Sequence, residues 1–269
     1  IETIFYMVLR ERLSDIREVI HMTIREELEK MERETLSPYA TLSVNTKGRE
    51  REEEQCDVRP VFQRDRDRIL HCKAFRRLKN KTQVFLTPKG DHYRTRLSHT
   101  LEVSQNARTI AKALRLNEDL VEAIALGHDM GHTPFGHAGE YVLNEICEDG
   151  FRHNEQSVRI VEKLEKNGMG LNLTWEVRDG ILNHQSKSMP HTLEGLSDKI
   201  AYVYHDVDDA IRAEILTEDD IPLEIRKTLG FTTKQRLNTL IHNVIMNSMD
   251  QDDIRMSADI QEAMFELRH

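Results

Sequence analysis

The sequence predicts an all-α protein, on the grounds of its composition and the spacing of its apolar residues. Only 12 Gly and 6 Pro occur among 269 residues, fewer than the many turns of a β-sandwich of this length would require. Apolar residues recur at helical intervals along most of the chain. A chain of 269 residues is also long enough to bury a substantial core. We therefore expect one large helical domain or two small ones.

Residues 1–58 are predicted to form helices followed by an irregular connection. Residues 1–21 place apolar side chains on one helical face, and they are interpreted as an extension. Thr23 and Glu26 have the spacing of a capping box, in which each side chain accepts a hydrogen bond from the backbone N–H of the other residue. They predict that a charged helix begins after Thr23. Residues 37–58 show no sustained period and are expected to be irregular.

The stretch from Arg59 to Lys81 is the most strongly charged part of the chain. It contains nine Lys or Arg residues and two Asp residues, a net charge of +7, although the whole protein carries −9. A helix face that is solvated and holds internal ion pairs is the ordinary interpretation and the one we favour. A phosphate-binding site is the alternative. Because the overall charge is negative, any site for an anion must be local.

Three helices and a short β-hairpin are predicted in the segment that begins with this basic stretch. A helical run starts after Pro60, and residues 82–90 predict a short strand with a turn. Residues 97–115 trace one apolar face, so they are expected to form a core helix that carries His99 in its first turns. Asn117 is a favourable N-cap for the next helix.

Cysteine usage and apolar run length exclude several classes of protein. The three cysteines, Cys56, Cys72 and Cys147, form no Cys-x-x-Cys pair, which argues against a disulfide framework or a thiolate zinc site. No apolar run approaches the length of a membrane-spanning helix. The first residues also lack the basic region and cleavage site of a secretory signal. We therefore expect a cytoplasmic protein with no membrane partner.

Histidines are concentrated in one part of the chain, with five between residues 99 and 153. His128 and His132 have the spacing of two ligands on one helical face, but the following Thr-Pro pair pushes the backbone out of the helical region. His132 is therefore predicted to lie on a loop. We favour His99, His128 and Asp129, with a later carboxylate, around one divalent ion. Because adjacent helical residues diverge by about 100°, such an ion must lie in a groove between helices.

Six segments, taken in order, carry a resemblance to a known family. These segments are Leu36–Ala40, Phe62–Arg68, Phe75–Leu78, Thr95–Thr100, His128–His137 and Phe265–Arg268. A bare His-Asp pair would be weak evidence, whereas this ordered set is highly specific. The sequence resembles the HD-domain deoxynucleoside triphosphate triphosphohydrolases, the deoxyguanosinetriphosphatase-like family.

The resemblance implies an architecture and a metal site. The expected fold is an HD-domain helical bundle with the metal between core helices, in which residues 59–215 form the catalytic domain and residues 216–269 form C-terminal helices. The family's four metal ligands fall on His99, His128, Asp129 and Asp198. One divalent metal per site is implied, with Mn2+ preferred and Mg2+, Fe2+, Co2+, Ni2+ or Zn2+ as alternatives.

The resemblance also implies catalytic and substrate-binding residues. The acid/base pair of the family falls on His137 and Glu140. The phosphate-contacting residues match Arg96 and Lys199, and His153 belongs to a segment near the triphosphate. The residues that contact the deoxyribose match Tyr202 and Asp206. Without the resemblance, a Tyr and an Asp in a helix would be read as packing and solvent-facing residues.

The activity implied is cleavage of a dNTP, either dGTP or a broader set, between the 5′ oxygen and the α-phosphorus. The products are a deoxynucleoside and inorganic triphosphate, and the biological role implied is control of the dNTP pool. A nucleotide effector and a homo-oligomer are the further partners implied. Two alternatives stay open. One is another HD-type nucleotidase or phosphodiesterase, and the other is a non-catalytic nucleotide sensor or single-strand nucleic-acid binder that uses residues 59–81.

The sequence departs from the family pattern in two places. The family has several more residues between Gly195 and Leu196, so either a segment is missing from this sequence or the helix that carries Asp198 is shortened. The family also continues with further helices after the position of Arg268. We therefore expect the C-terminal part to be truncated.

Overall fold

The computed structural model describes residues 22–82, 94–184 and 193–268, and these residues form twelve α-helices. The helices are α1 (Ile24–Thr35), α2 (Val61–Leu70), α3 (Lys73–Arg77), α4 (Arg96–Ala113), α5 (Glu118–Gly127), α6 (Gly136–Ile146), α7 (His153–Arg159), α8 (Trp175–Asn183), α9 (Leu193–Arg212), α10 (Leu223–Leu229), α11 (Thr233–Ser248) and α12 (Ala258–Arg268). The predicted all-α class is confirmed. A single π-turn, Ile160–Leu164, continues α7.

The helix starts follow local sequence signals. The backbone N–H of Glu26 donates to Thr23 Oγ1 over 3.3 Å, and the N–H of Thr23 donates to the Glu26 carboxylate over 2.8 Å. The predicted capping box at the start of α1 is therefore confirmed. Asn117 Oδ1 accepts from the N–H of Leu120 over 3.2 Å, which caps α5 as predicted. The helix predicted within residues 1–21 lies outside the described residues.

Two apolar clusters enclose the central helices. α4 packs against α5 and α9, and α5 packs against α2. One cluster joins α4 and α9 to the C-terminal helices through buried residues such as Ile110, Ile200 and Leu240. The other joins α2, α5 and α8 through Phe62, Leu126 and Ile181. The ends of α4, α5 and α9 therefore meet between two packed cores, where side chains are held in fixed directions.

The chain between α5 and α6 is a tightly held loop. Gly131 donates its N–H to Ser157 Oγ over 2.8 Å, and that hydroxyl donates to the carbonyl of His128 over 2.7 Å. A Cβ at Gly131 would collide with the backbone of Ser157 and His153, so only glycine allows this approach. His132 lies in this loop without helical structure, as the Thr-Pro pair predicts. Contacts with α7 thus hold this loop in place.

Strand structure is limited to two isolated bridges among the described residues, Arg49 with Thr174 and Thr82 with Thr95. The hairpin predicted for residues 82–90 lies outside the described residues except for Thr82. No helix within the described ranges is long and apolar enough to cross a membrane. The division into segments 1–58, 59–215 and 216–269 stays a prediction, and the C-terminal helices share an apolar cluster with α4 and α9.

Candidate active site and metal centre

Four predicted ligands converge where α4, α5 and α9 meet. His99 lies in the first turns of α4, His128 and Asp129 directly follow α5, and Asp198 lies in the second turn of α9. His99 Nε2 is 3.0 Å from Asp198 Oδ1 and 3.9 Å from Asp129 Oδ2. His128 Nε2 is 3.5 Å from Asp129 Oδ1 and 3.7 Å from Asp198 Oδ1. Ligands about 2.0–2.2 Å from one ion lie at about such separations from each other.

The imidazole nitrogens are oriented for metal binding. His128 Nδ1 lies 2.6 Å from the carbonyl oxygen of Ala125, which can only accept a hydrogen bond, so Nδ1 carries the proton. In the neutral ring, His128 Nε2 then presents a lone pair, and among the described residues this buried nitrogen has no hydrogen-bond partner. A buried, unsatisfied nitrogen is costly. A divalent cation next to two carboxylates would satisfy it, so the four residues fit a metal ion.

The electrostatics of this cluster favour a cation. Burial opposes ionisation of Asp129, but the charges of His128 and Arg96 outweigh it and hold the pKa of Asp129 well below its usual range. Arg96 donates from Nη1 to Asp129 Oδ2 over 2.8 Å. Burial by itself would lower the pKa of His128, but the charges of Asp129 and Asp198 outweigh it and raise the pKa to about 9. The two carboxylates thus favour a positive charge at His128 Nε2, which can bind either a proton or a metal ion but not both.

α9 continues without a break through Gly195 and Leu196, for 20 residues in all. The helix that carries Asp198 is therefore long, and it reaches the other three ligands despite the departure from the family pattern. Helical spacing also places Tyr202 and Asp206 on the side of α9 that bears Asp198.

One carboxylate joins two imidazoles beside the metal cluster. Glu140 Oε1 accepts from the backbone N–H of His153 and lies near its Nδ1, each over 2.8 Å, while Glu140 Oε2 lies 3.2 Å from His137 Nδ1. Burial opposes ionisation of Glu140, but the hydrogen bonds from His137 and His153 prevail and hold its pKa well below the usual range. His137 is 46% exposed. Its ring is therefore oriented by Glu140 while it remains open to a substrate.

His132 is a site residue to which the sequence assigned no role. Its ring stacks on that of His153 with centroids 4.6 Å apart, and one of its ring nitrogens lies within 4.8 Å of possible ligand atoms of Asp129 and His153. Burial, aided by the charge of Arg96, lowers the pKa of His132 to about 3. Its Nδ1 accepts from the N–H of Thr133 over 3.1 Å, so the neutral ring carries its proton on Nε2.

Tyr202 lies between the metal cluster and the predicted acid/base pair. Its ring centroid lies 6.3 Å from that of His99 and 6.0 Å from that of His137. The guanidinium of Arg268 lies 5.6 Å above the Tyr202 ring. Burial, together with the charge of Asp209, raises the pKa of Asp206 to about 7. Arg268 belongs to a segment that carried the resemblance, but sequence reasoning gave it no role because its approach to Tyr202 depends on the packing of α12.

The basic stretch divides into two parts. Residues of its first part form ion pairs: Arg59 pairs with Asp67 at 2.7 Å, and Arg66 pairs with Asp119 at 2.6 Å. Its second part lines a cleft of about 520 Å³ next to the loop after α5. Basic residues that line this cleft are Lys73, Arg77, Lys81 and Lys166. None of the four metal ligands lines it. The cleft therefore lies beside the metal cluster and does not include it.

Lys81 connects this cleft to the site. Its Nζ donates to the carbonyl oxygens of His132 and Met130, over 2.6 Å and 3.2 Å. Burial, aided by the charge of Arg77, lowers the pKa of Lys81 to about 8. The ammonium group thus braces the loop that positions Asp129 and His132.

Comparisons with known proteins agree with this geometry. A family model described as HD domain matches residues 96–206, a segment that begins at Arg96 and ends at Asp206. The chain is 61% identical over 251 residues to the deoxyguanosinetriphosphate triphosphohydrolase-like protein of Caldanaerobacter subterraneus subsp. tengcongensis. This match covers 92% of the chain and 74% of the relative.

Two further relatives carry the same name. The protein of Clostridium perfringens is 54% identical over 260 residues, and the match covers 92% of this chain and 76% of the relative. The protein of Desulfatibacillum aliphaticivorans is 52% identical over 264 residues, with 92% and 75% covered. Identities at this level over most of both chains show common descent and a common fold. The chain belongs to the deoxyguanosinetriphosphate triphosphohydrolase-like family of HD-domain proteins.

Proposed function

We propose that this protein is a metal-dependent phosphohydrolase that cleaves dNTPs, dGTP or a broader set, into a deoxynucleoside and inorganic triphosphate. The observation that carries the proposal is the position of Tyr202, whose ring lies about 6 Å from a metal ligand, His99, on one side and from the acid, His137, on the other. A substrate placed on this ring would have its α-phosphate near the metal cluster and its 5′ oxygen near an imidazole.

The chemistry requires an acid at the leaving oxygen. Cleavage between the 5′ oxygen and the α-phosphorus releases an alkoxide, which is a far poorer leaving group than a phosphate and needs a proton. His137 is suited to supply that proton, since Glu140 holds its Nδ1 and leaves Nε2 free to face the substrate. When bound, a divalent ion, with Mn2+ preferred over Mg2+, Fe2+, Co2+, Ni2+ or Zn2+, supplies Lewis-acid polarisation of the α-phosphoryl group.

We propose that three cations hold the triphosphate. Arg96 uses one guanidinium nitrogen for Asp129, and its buried Nε and Nη2 have no partner among the described residues. Lys199 follows the ligand Asp198 on α9, and Arg268 lies above Tyr202. A guanidinium group can donate two parallel hydrogen bonds to phosphate oxygens. We propose that these residues neutralise the phosphates and that His132 donates from Nε2 to a phosphoryl oxygen.

The family resemblance adds three finer proposals. The protein is proposed to act in the cytoplasm, to form a homo-oligomer and to respond to a nucleotide effector. Control of the dNTP pool is the role that these properties would serve.

A product assay tests the proposed reaction. Each dNTP and its matching ribonucleotide is incubated with the protein and Mn2+, and the products are separated by anion-exchange chromatography. We expect deoxynucleoside and triphosphate as first products, with slower cleavage of the ribonucleotide because the Tyr202 ring leaves little room for a 2′-hydroxyl. Orthophosphate, diphosphate or a nucleoside monophosphate as the first product would instead favour another HD-type phosphohydrolase.

A non-catalytic nucleic-acid binder is the second candidate. It is favoured by the cleft beside Lys81, where Lys73, Arg77 and Lys166 form no ion pair with any residue in the described ranges. The scarcity of aromatic residues argues against it, since Phe151 is the single Phe, Tyr or Trp among the described residues that line the cleft, and stacking platforms use several. Tight, salt-dependent binding of single-stranded DNA without hydrolysis of any dNTP would support this candidate.

A further inference from the structure

The metal ligand His99 contacts a second buried imidazole through the ring nitrogen that faces away from the cluster. His99 Nδ1 lies 3.2 Å from His205 Nδ1. Both residues are fully enclosed, at 0% and 1% relative exposure. His205 Nε2 in turn makes a short contact with the carboxylate of Glu102. Neither His205 nor Glu102 is among the predicted site residues, and the proposed reaction does not use them.

With a metal at His99 Nε2, only one arrangement of protons satisfies this chain of contacts. His99 must present a lone pair at Nε2 to bind a metal, so its proton lies on Nδ1 and is donated to His205. His205 Nδ1 then accepts, and its own proton lies on Nε2. That proton is donated to Glu102, whose ionised carboxylate can only accept. Glu102 therefore keeps the proton of His205 on Nε2, and His205 keeps the proton of His99 on Nδ1. The lone pair of His99 Nε2 is then left facing the metal.

Two helices build this arrangement by simple spacing. His99 and Glu102 are three residues apart on α4, so they share a face. Asp198 and His205 are seven residues apart on α9, which is two helical turns. α9 therefore contributes one metal ligand and also the residue that supports a ligand from α4.

Glu102 is itself held in place by a cation. Arg94 Nε lies 3.2 Å from the Glu102 carboxylate, and Arg94 Nη1 donates to Asp208 over 2.8 Å and to Asp209 over 2.6 Å. This guanidinium spans the start of α4 and the far part of α9. The carboxylate at the end of the relay is thus fixed by contacts with both helices.

His128 differs from His99 in its outer contact. The Nδ1 of His128 donates to the backbone carbonyl of Ala125, and a change of the Ala125 side chain would leave this acceptor in place. The outer contact of His99 is made entirely by side chains. Outer contacts of ligating histidines set ring orientation and basicity, and their loss typically lowers metal affinity about 10- to 100-fold.

We propose that His205 and Glu102 are positioning residues that fix the proton and ring orientation of His99 and thereby set the affinity of the centre for its divalent ion. This inference rests on the metal site of the proposed function. It does not depend on which nucleotide is cleaved, because metal affinity is measured without substrate.

The test is a titration of the full-length, metal-free protein with Mn2+, in which free Mn2+ is followed by electron paramagnetic resonance. His205→Leu removes both contacts, and His205→Asn retains an acceptor near the position of Nδ1 but loses the contact with Glu102. Glu102→Gln keeps an acceptor without its charge. Val207→Ala is the matched control, because it removes buried packing from the same stretch of α9 on a side of the helix about 200° away from His205.

We expect the Kd for Mn2+ to rise about 10- to 100-fold in His205→Leu and by a smaller factor in His205→Asn and Glu102→Gln. The Kd should be unchanged in Val207→Ala, although its melting temperature falls. Equal Mn2+ affinity in the wild type and in the folded His205 and Glu102 variants would overturn the proposal, as would an equal loss of affinity in Val207→Ala. If His205→Leu does not fold, the Asn and Gln variants decide. A wild type that binds Mn2+ but releases no triphosphate would contradict the proposed function alone.

Discussion

Replacement of Glu140 by Gln tests whether one carboxylate orients His137, the proposed acid at the leaving oxygen. Glu140 receives three contacts, two from His153 and one from His137. A glutamine side chain offers one acceptor oxygen in place of two, so it cannot satisfy both imidazoles. The side chain also loses the negative charge that stabilises a protonated His137. Metal ligands are not touched by this change.

The size of the effect follows from the contact that is lost. A hydrogen bond to a charged group contributes about 1.5–3 kcal/mol. If this contribution is fully expressed in the transition state, the rate falls about 10- to 150-fold, since each 1.36 kcal/mol is a factor of ten. His137→Ala removes the acid itself and should cost about 10²- to 10⁴-fold. Since the two residues act as one unit, the double variant should be scarcely slower than His137→Ala.

The assay is steady-state release of triphosphate from the best dNTP, together with elemental analysis of bound metal. Turnover should fall in all three variants, while metal content and dNTP affinity change little. A His137→Ala protein that loses its metal would identify this residue as a ligand. Near-normal turnover in His137→Ala, or losses that add in the double variant, would refute the reasoning.

Three further predictions concern the metal, the loop and the pH dependence of stability. His128→Ala and Asp129→Ala should each lower bound Mn2+ and activity together, whereas Cys56→Ser should change neither, and full metal occupancy in the first two would contradict the assignment. Gly131→Ala should lower the free energy of unfolding by about 1–3 kcal/mol, because the added methyl group meets the backbone of α7; an unchanged denaturation midpoint would refute this. Burial raises the pKa of Asp206 from 3.8 to about 7, so the folded state holds the proton more tightly and loses stability as pH rises between these values. Asp206→Asn should therefore reduce the fall in melting temperature between pH 5 and pH 8, and an unaltered fall would contradict the raised pKa.

Helix positions and several caps were predictable because they depend on neighbours in the sequence. The capping box of Thr23 and Glu26 and the cap at Asn117 involve residues three apart, and both form as expected. The loop position of His132 was predictable in the same way, because the Thr-Pro pair directly after it disfavours helical backbone, and α5 ends before it, at Gly127. The presence of His99, His128 and Asp129 in one groove was predictable in outline, because adjacent helices must bury their apolar faces against each other.

Other features depend on contacts between distant residues. The sequence could not show that the basic stretch divides between ion pairs and a cleft, because Arg66 meets its partner Asp119 on a different helix. It also could not show that Arg268, at the end of the described chain, lies above Tyr202. Such contacts depend on how α12 packs against α9, and this packing is set by many apolar residues together.

The sequence by itself determined the helical class, the residue types of a divalent metal centre and the family to which their order belongs. The tertiary structure decided how these residues are arranged: which nitrogen of each imidazole faces the cluster, that Glu140 is shared by His137 and His153, and that His205 contacts His99. The physical reason is that residue type and spacing are local properties of the chain. The direction of a buried side chain, and the place of its proton, are fixed only by partners that packing brings close from elsewhere in the chain.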